Sequence, residues 1–274
     1  MQSLKLIVAG VLALGMPAPA GAQFATPADS ACIQAVNAGV RKVALATSKQ
    51  LRACAGYAAD GLLGPQSVAD CAAALAPKAV AQALLKADRE CGGVPPTFGP
   101  PSITAPPALT VAACGAVVGD LFGPTPESAF VATANVRACQ GAVLKAMRGC
   151  VDARLSGFNR CKKEGLKRGF VRTAAELRDA CLGTGAEQPD PSGGTIAKRC
   201  AAYVASVVES KCVAGAVALD AAFPGCGTGD AGAFRVCFDG RIRCRVCALL
   251  NAADGLTRDC DLFDDGDDGN ASCS

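Results

Sequence analysis

Residues 136–166 read VRACQGAVLKAMRGCVDARLSGFNRCKKEGL. Apolar residues or cysteines fall at 139, 143, 147, 150, 151, 155, 158 and 161, the three-four rhythm of a helix with one buried face. Cys139, Cys150 and Cys161 are eleven apart, and eleven residues at about 100° each pass three whole turns by only about 20°. The three thiols therefore share the apolar face and are placed to staple the helix to its neighbours at successive levels. Gly141, Gly149, Gly157 and Gly165 count against one continuous helix, because an interior glycine costs about 1 kcal/mol relative to alanine. They either allow close packing or divide the segment in two.

A related pattern stands earlier in the chain. Cys32 to Cys54 spans twenty-two residues, as does Cys139 to Cys161. Both begin Cys-x-x-Ala-Val, as Cys32-Ile33-Gln34-Ala35-Val36 and Cys139-Gln140-Gly141-Ala142-Val143, and each is followed by a further cysteine, Cys71 and Cys181. Cys150 has no counterpart in the first copy. Residues 31–58 and 78–89 are rich in Ala, Leu, Lys and Gln and read as helices. Paired prolines (Pro95-Pro96, Pro100-Pro101, Pro106-Pro107) mark 92–108 as a semi-rigid linker, and Gly183 to Gly194 is a second break. The expected fold is mainly α: a helical cysteine-rich unit over 23–91, the linker 92–108, a second helical unit over 109–222, and a loop-rich Gly/Asp/Cys cap over 223–274.

The beginning of the chain sets the compartment. One lysine, an apolar run from Leu6 to Met16 and an Ala20-Gly21-Ala22 ending make a secretory signal peptide over 1–22, with cleavage after Ala22. The run is shorter than the roughly 20 residues of a spanning helix, and no later run reads as long enough, so the mature chain is expected to be secreted or periplasmic with no span. All 17 cysteines follow the leader. At this density an exported chain carries a disulfide framework. Cys32, Cys54, Cys71, Cys91, Cys114 and Cys139 are expected to pair within it. So are Cys150, Cys161, Cys181, Cys200, Cys212 and Cys226, with Cys237, Cys244, Cys247, Cys260 and Cys273. The odd number leaves one thiol free or bound to another chain. Aromatic residues are 4% of the sequence and tryptophan is absent. An Ala/Val/Leu core buries little area per residue at about 25 cal/mol per Å², which is one reason for so many staples.

The second half carries a signature: Cys161-Lys162-Lys163, Ala180-Cys181-Leu182-Gly183-Thr184-Gly185, Gln188-Pro189-Asp190-Pro191, Cys244-Arg245-Val246-Cys247, Asn251-Ala252-Ala253-Asp254-Gly255-Leu256, Asp259-Cys260-Asp261-Leu262-Phe263-Asp264-Asp265-Gly266 and Asn270-Ala271-Ser272-Cys273. It resembles a group of cysteine-rich secreted proteins of environmental bacteria. That resemblance implies export and no particular activity.

The chain contains no histidine, which removes Ser-His-Asp and Cys-His catalysis, His-based metal sites and c-type haem attachment. Cys244-x-x-Cys247 has the spacing of a redox dithiol, with Arg243 and Arg245 placed to lower a thiol pKa. A periplasmic thiol-disulfide oxidoreductase is therefore the alternative to a structural role for these two cysteines. The acidic tail offers Asp264, Asp265, Asp267, Asp268 and Asn270 to Ca²⁺, alongside Asp254, Asp259 and Asp261. The D-x-[DN]-x-[DN]-G frame is not met, and a tight metal site is not expected; no other cofactor motif is present. A basic stretch, Arg137 to Arg172, includes Arg148, Arg154, Arg160, Lys162, Lys163, Lys167 and Arg168, opposed only by Asp152 and Glu164. The leader and the scarcity of stacking aromatics argue against nucleic acid. A solvated helix face, an anionic envelope polymer, a partner protein or the chain's own acidic tail are what remain to meet these charges. The functional expectation is a non-enzymatic binding or scaffold protein of the envelope or extracellular space.

Overall fold

The computed structural model describes residues 26–263, 267, 269–271 and 273. The leader, 1–22, and the tail residues Asp264, Asp265 and Asp268 lie outside the described residues. The long segment around the three evenly spaced cysteines is one unbroken helix, Ala134–Arg168. Its glycines divide by role. A Cβ at Gly157 would press on Ile196 at 3.3 Å, and one at Gly165 would overlap Val171, so both admit a close neighbour. Gly149 has open space in front of it. The local cost of glycine is offset by a long buried face that includes Val143, Leu144, Met147, Leu155 and Phe158.

In chain order the α-helices are α1 (Pro27–Ala59), α2 (Val68–Ala74), α3 (Pro77–Cys91), α4 (Ala105–Phe122), α5 (Pro126–Ala129), α6 (Ala134–Arg168), α7 (Ala174–Cys181), α8 (Tyr203–Val207), α9 (Leu219–Ala222) and α10 (Ala231–Asp254), with no strand among the described residues. Two π-helical turns, Ala197–Ala202 and Val208–Val213, flank α8. α1 begins with a reciprocal cap: Thr26 Oγ1 accepts from the Asp29 amide, and Asp29 accepts from the Thr26 amide.

One rule organises most of the bridges: the three longest helices, α1, α6 and α10, are each tied to the chain that follows them. For α6 the bridges are nested, Cys161–Cys181 inside Cys150–Cys200 inside Cys139–Cys212. For α1 they are Cys54–Cys71 inside Cys32–Cys91. The two copies read from the sequence thus match in connectivity, and the Cys150 bridge is the extra rung of the second. α10 repeats the arrangement, with Cys247–Cys260 inside Cys244–Cys273, and Cys226–Cys237 ties its first half to the preceding loop. Only Cys114 is unpaired. It is 3% exposed, with its Sγ 3.9 Å from the Ala44 carbonyl. Burial pushes this thiol up to about 12, so the free cysteine is enclosed rather than offered to another chain.

Three expectations need correction. The stretch 92–108, expected to be a semi-rigid linker throughout, has Pro100 and Ile103 buried, and its last residues, Pro106 and Pro107 among them, form the first turn of α4. Proline is tolerated there because the first amides of a helix have no intrahelical acceptor. The same start makes α4 an 18-residue apolar helix, long enough by length and composition to cross a membrane, with 44% of it buried inside the protein. The C-terminal part is loop-rich only around α10, which is a 24-residue helix capped by Asp230, whose Oδ1 accepts from the Ala233 amide at 2.7 Å. One continuous core joins α1, α2, α4, α6 and α10 across both halves. Its largest members include Phe122, Phe130, Phe223 and Phe234 in a chain of ring contacts with centroids 4.5–5.1 Å apart.

Candidate functional site

The dithiol motif does not survive folding as a pair. Cys244 and Cys247 sit one turn apart on α10, but each is bonded elsewhere, to Cys273 and Cys260, and both are buried. The arginines expected to activate them are engaged too. Arg245 forms a two-pronged pair with Asp120 of α4, at 2.7 and 2.8 Å. Arg243 holds Asp239 at 2.6 Å and Glu187 at 2.8 Å. The Asp120 and Glu187 pairs tie α10 to its neighbours and the Asp239 pair lies within α10, while the two bridges leave neither Cys244 nor Cys247 as a thiolate.

The basic stretch separates into two populations. Arg154 and Lys162 point inward and are buried. Arg154 pairs with Asp239 at 2.5 Å, and burial lowers its guanidinium from the ordinary value against the pull of that carboxylate. Lys162 and Asp254, 1% and 0% exposed, form an ion pair. Asn37 completes the group: its Oδ1 accepts from Lys162 Nζ at 2.6 Å, and its Nδ2 donates to Asp254 Oδ2 at 2.7 Å. Burial pushes the Lys162 ammonium down, opposed by the Asp254 charge. The acidic tail thus neutralises the basic stretch at one point, where α1, α6 and the end of α10 meet.

The second population faces outward. α1 and α6 run antiparallel, with Asn37 beside Asn159, Arg41 beside Asp152 and Gly56 beside Arg137. Between them lies a trench made of three hollows of about 560, 540 and 870 Å³. The first two share Arg41, Leu45 and Ser156, and the last two share Lys145 and Tyr203, so the three hollows adjoin in a row, with the Arg41–Asp152 ion pair crossing from α1 to α6 where the first two meet. Its α6 wall carries Lys145, Arg148, Arg160 and Lys163; its α1 wall carries Lys42 and Arg52; the chain after α7 adds Arg199 and Lys211. All eight are exposed, and none has a carboxylate within ion-pair distance among the described residues. Asp152 is the single carboxylate on the trench lining, and it is bound by Arg41 at 2.6 and 3.2 Å. Arg137, at the far end, is paired with Asp60.

The sequence identified Arg148, Arg160 and Lys163 but not the opposite wall. Gln34, Arg41 and Arg52 recur at helical spacing along α1, with Lys42 next to Arg41, which is a readable polar stripe. Arg199 and Lys211 reach the trench only because the Cys150–Cys200 and Cys139–Cys212 bridges hold their segments against α6.

The acidic tail has a structural use where it is described. Asp259 accepts from the Asp261 and Gly269 amides at 3.1 and 2.9 Å, and Asp261 from the Ala271 and Cys273 amides at 2.8 and 3.0 Å. Asp267 and Asn270 are exposed. The one metal-like grouping of side chains among the described residues is Cys150, Cys200 and Asp239. Its two sulfurs are bonded to each other and supply no thiolate.

Fold and site together define a disulfide-cross-linked, all-helical protein with one strongly cationic face. Its eight bridges are what an oxidising compartment, extracellular or periplasmic, sustains. No protein-family model, curated protein or solved structure matches the chain.

Proposed function

We propose that this is an exported, non-enzymatic binding or scaffold protein that holds an anionic partner in the α1/α6 trench. One observation carries the reading: eight exposed cations, with no carboxylate partner among the described residues, line a row of adjoining hollows, while the chain as a whole has a net charge of only +3. Such segregation keeps like charges close together at a cost, which an anionic partner relieves. The bridged helices fix both walls before binding, which lowers the ordering cost of association. The leader over 1–22, the cysteine density and the resemblance to secreted cysteine-rich proteins support export.

The test compares the oxidised protein with a trench variant, Lys145→Glu/Arg148→Glu, for co-sedimentation with the envelope fraction of a Gram-negative bacterium. The native chain should sediment at low salt, and the variant should stay in solution. Equal sedimentation of both would refute the assignment of the face. Catalysed insulin reduction that disappears on Cys244→Ser, with folding intact, would refute the non-enzymatic reading.

A further inference from the structure

Resting on that reading of the trench, we infer that its occupant is a linear, phosphate-bearing polyanion lying lengthwise between α1 and α6. Length is the first argument. The lining runs from Ala134 to Lys163 on α6, about 44 Å at 1.5 Å per residue. A small anion would use one hollow and leave most of the cations unmet. A thin chain passing from hollow to hollow meets them in turn, because neighbouring hollows share walls.

The second argument is the placement of charge on both sides. Lys42 and Arg52 approach from α1, and Lys145, Arg148, Arg160 and Lys163 from α6. A phosphodiester has two free oxygens on opposite sides of a tetrahedral centre, so one group is held from both walls at once. A planar carboxylate presents both oxygens along one edge and engages one wall well. Guanidinium forks on both walls fit the tetrahedral anion.

The third argument is what the lining lacks. Single-stranded nucleic acids are held by base stacking on aromatic platforms as well as by charge, and Tyr203 is the one aromatic residue within the stretch shared by the hollows. Phe130 also lines the largest hollow, but it is buried and stacked on Phe122, so the lining offers bases one aromatic platform and the trench recognises a charged backbone.

The experiment titrates the intact oxidised protein with fluorescently labelled long-chain inorganic polyphosphate at several salt concentrations, followed by anisotropy. If about six phosphates are neutralised, log K should fall with log salt at a slope of about −4, taking the single-strand coefficient. Lys145→Glu/Arg148→Glu should weaken binding by about tenfold or more and flatten the slope. The off-trench control Lys78→Glu/Lys86→Glu, on exposed positions of α3, should stay within about twofold of wild type. Tripolyphosphate should compete poorly per phosphate. The failures are distinguishable. Equal loss in both variants, or no binding of any polyanion, overturns the trench as a binding face. Poly-L-glutamate binding as tightly as polyphosphate, with the same trench dependence, keeps the face and overturns the phosphate assignment. Single-stranded DNA binding more tightly than polyphosphate overturns backbone-only recognition.

Discussion

The middle rung of the α6 ladder, Cys150–Cys200, gives a worked prediction for the disulfide account. Its cysteines are 50 residues apart, and closing a lone loop of that size would restrict the unfolded chain by about 4 kcal/mol. The rung does not act alone. With Cys139–Cys212 and Cys161–Cys181 in place, the unfolded chain already contains a ring of about 53 residues, and the middle bridge divides it into arcs of about 23 and 30. Two arcs in one ring behave as a loop of about 13 residues, the product of the arcs over their sum, for which the chain-entropy relation gives about 3 kcal/mol. The perturbation is the paired change Cys150→Ala/Cys200→Ala, which leaves no odd thiol. Urea unfolding of wild type and variant should differ by about 3 kcal/mol, with up to about 1 more from the lost buried sulfurs. The urea m-value should rise, because the opened ring lets the denatured chain expose more surface. A loss under about 1 kcal/mol with an unchanged m-value would refute the reasoning.

Three further outcomes follow from buried and capping groups. Lys162→Met leaves the Asp254 carboxylate enclosed with only Asn37 beside it, and should cost about 3–5 kcal/mol in urea unfolding; adding Asp254→Leu should restore most of that, and additive losses would contradict the pairing. Asp190 accepts from the Ser192 amide and hydroxyl and from the Ile196 amide; partial burial raises its carboxyl, but these donors outweigh it and hold it below the ordinary 3.8. Asp190→Ala should therefore cost about 1 kcal/mol at neutral pH, small because solvent screens the site. That deficit is fully present above 3.8 and closes as the pH falls through the depressed folded value, whereas a pH-independent deficit in acid titrations would contradict the charge-based account. Cys114 should resist iodoacetamide at pH 8 in the native protein and take up one equivalent after unfolding without reductant, since burial holds its thiol near about 12. Rapid native labelling or a reducible dimer would place that thiol at the surface.

The helical ladder was largely legible, because the eleven-residue spacing of Cys139, Cys150 and Cys161 needs only the pitch of a helix to place three thiols on one face. Their partners were not legible: pairing depends on where the returning chain passes, and many connectivities satisfy one set of cysteines. α10 escaped the periodic reading because it is enclosed on more than one side. Phe234, Phe238, Ile242, Val246 and Leu249 share it with buried Gly240, Cys244 and Cys247, and Asp239, Arg243 and Arg245 interrupt any stripe while pairing inward. Pro106 and Pro107 misled for a local reason, since proline marks a linker or a helix start equally well. Half of the trench was visible as the basic run of α6. The other half lies on α1, about a hundred residues earlier, and on segments held there by the bridges.

The central claim is that the cysteines serve as staples tying α1, α6 and α10 to the chain that follows each, so that the trench walls are fixed and Cys244 and Cys247 are not a dithiol pair. Mass-spectrometric mapping of the purified oxidised protein, digested without reduction, tests this directly. The account predicts Cys161–Cys181, Cys150–Cys200 and Cys139–Cys212 on α6, Cys247–Cys260 and Cys244–Cys273 on α10, and an unmodified Cys114. A Cys244–Cys247 bridge, or free thiols at those two positions, would contradict it.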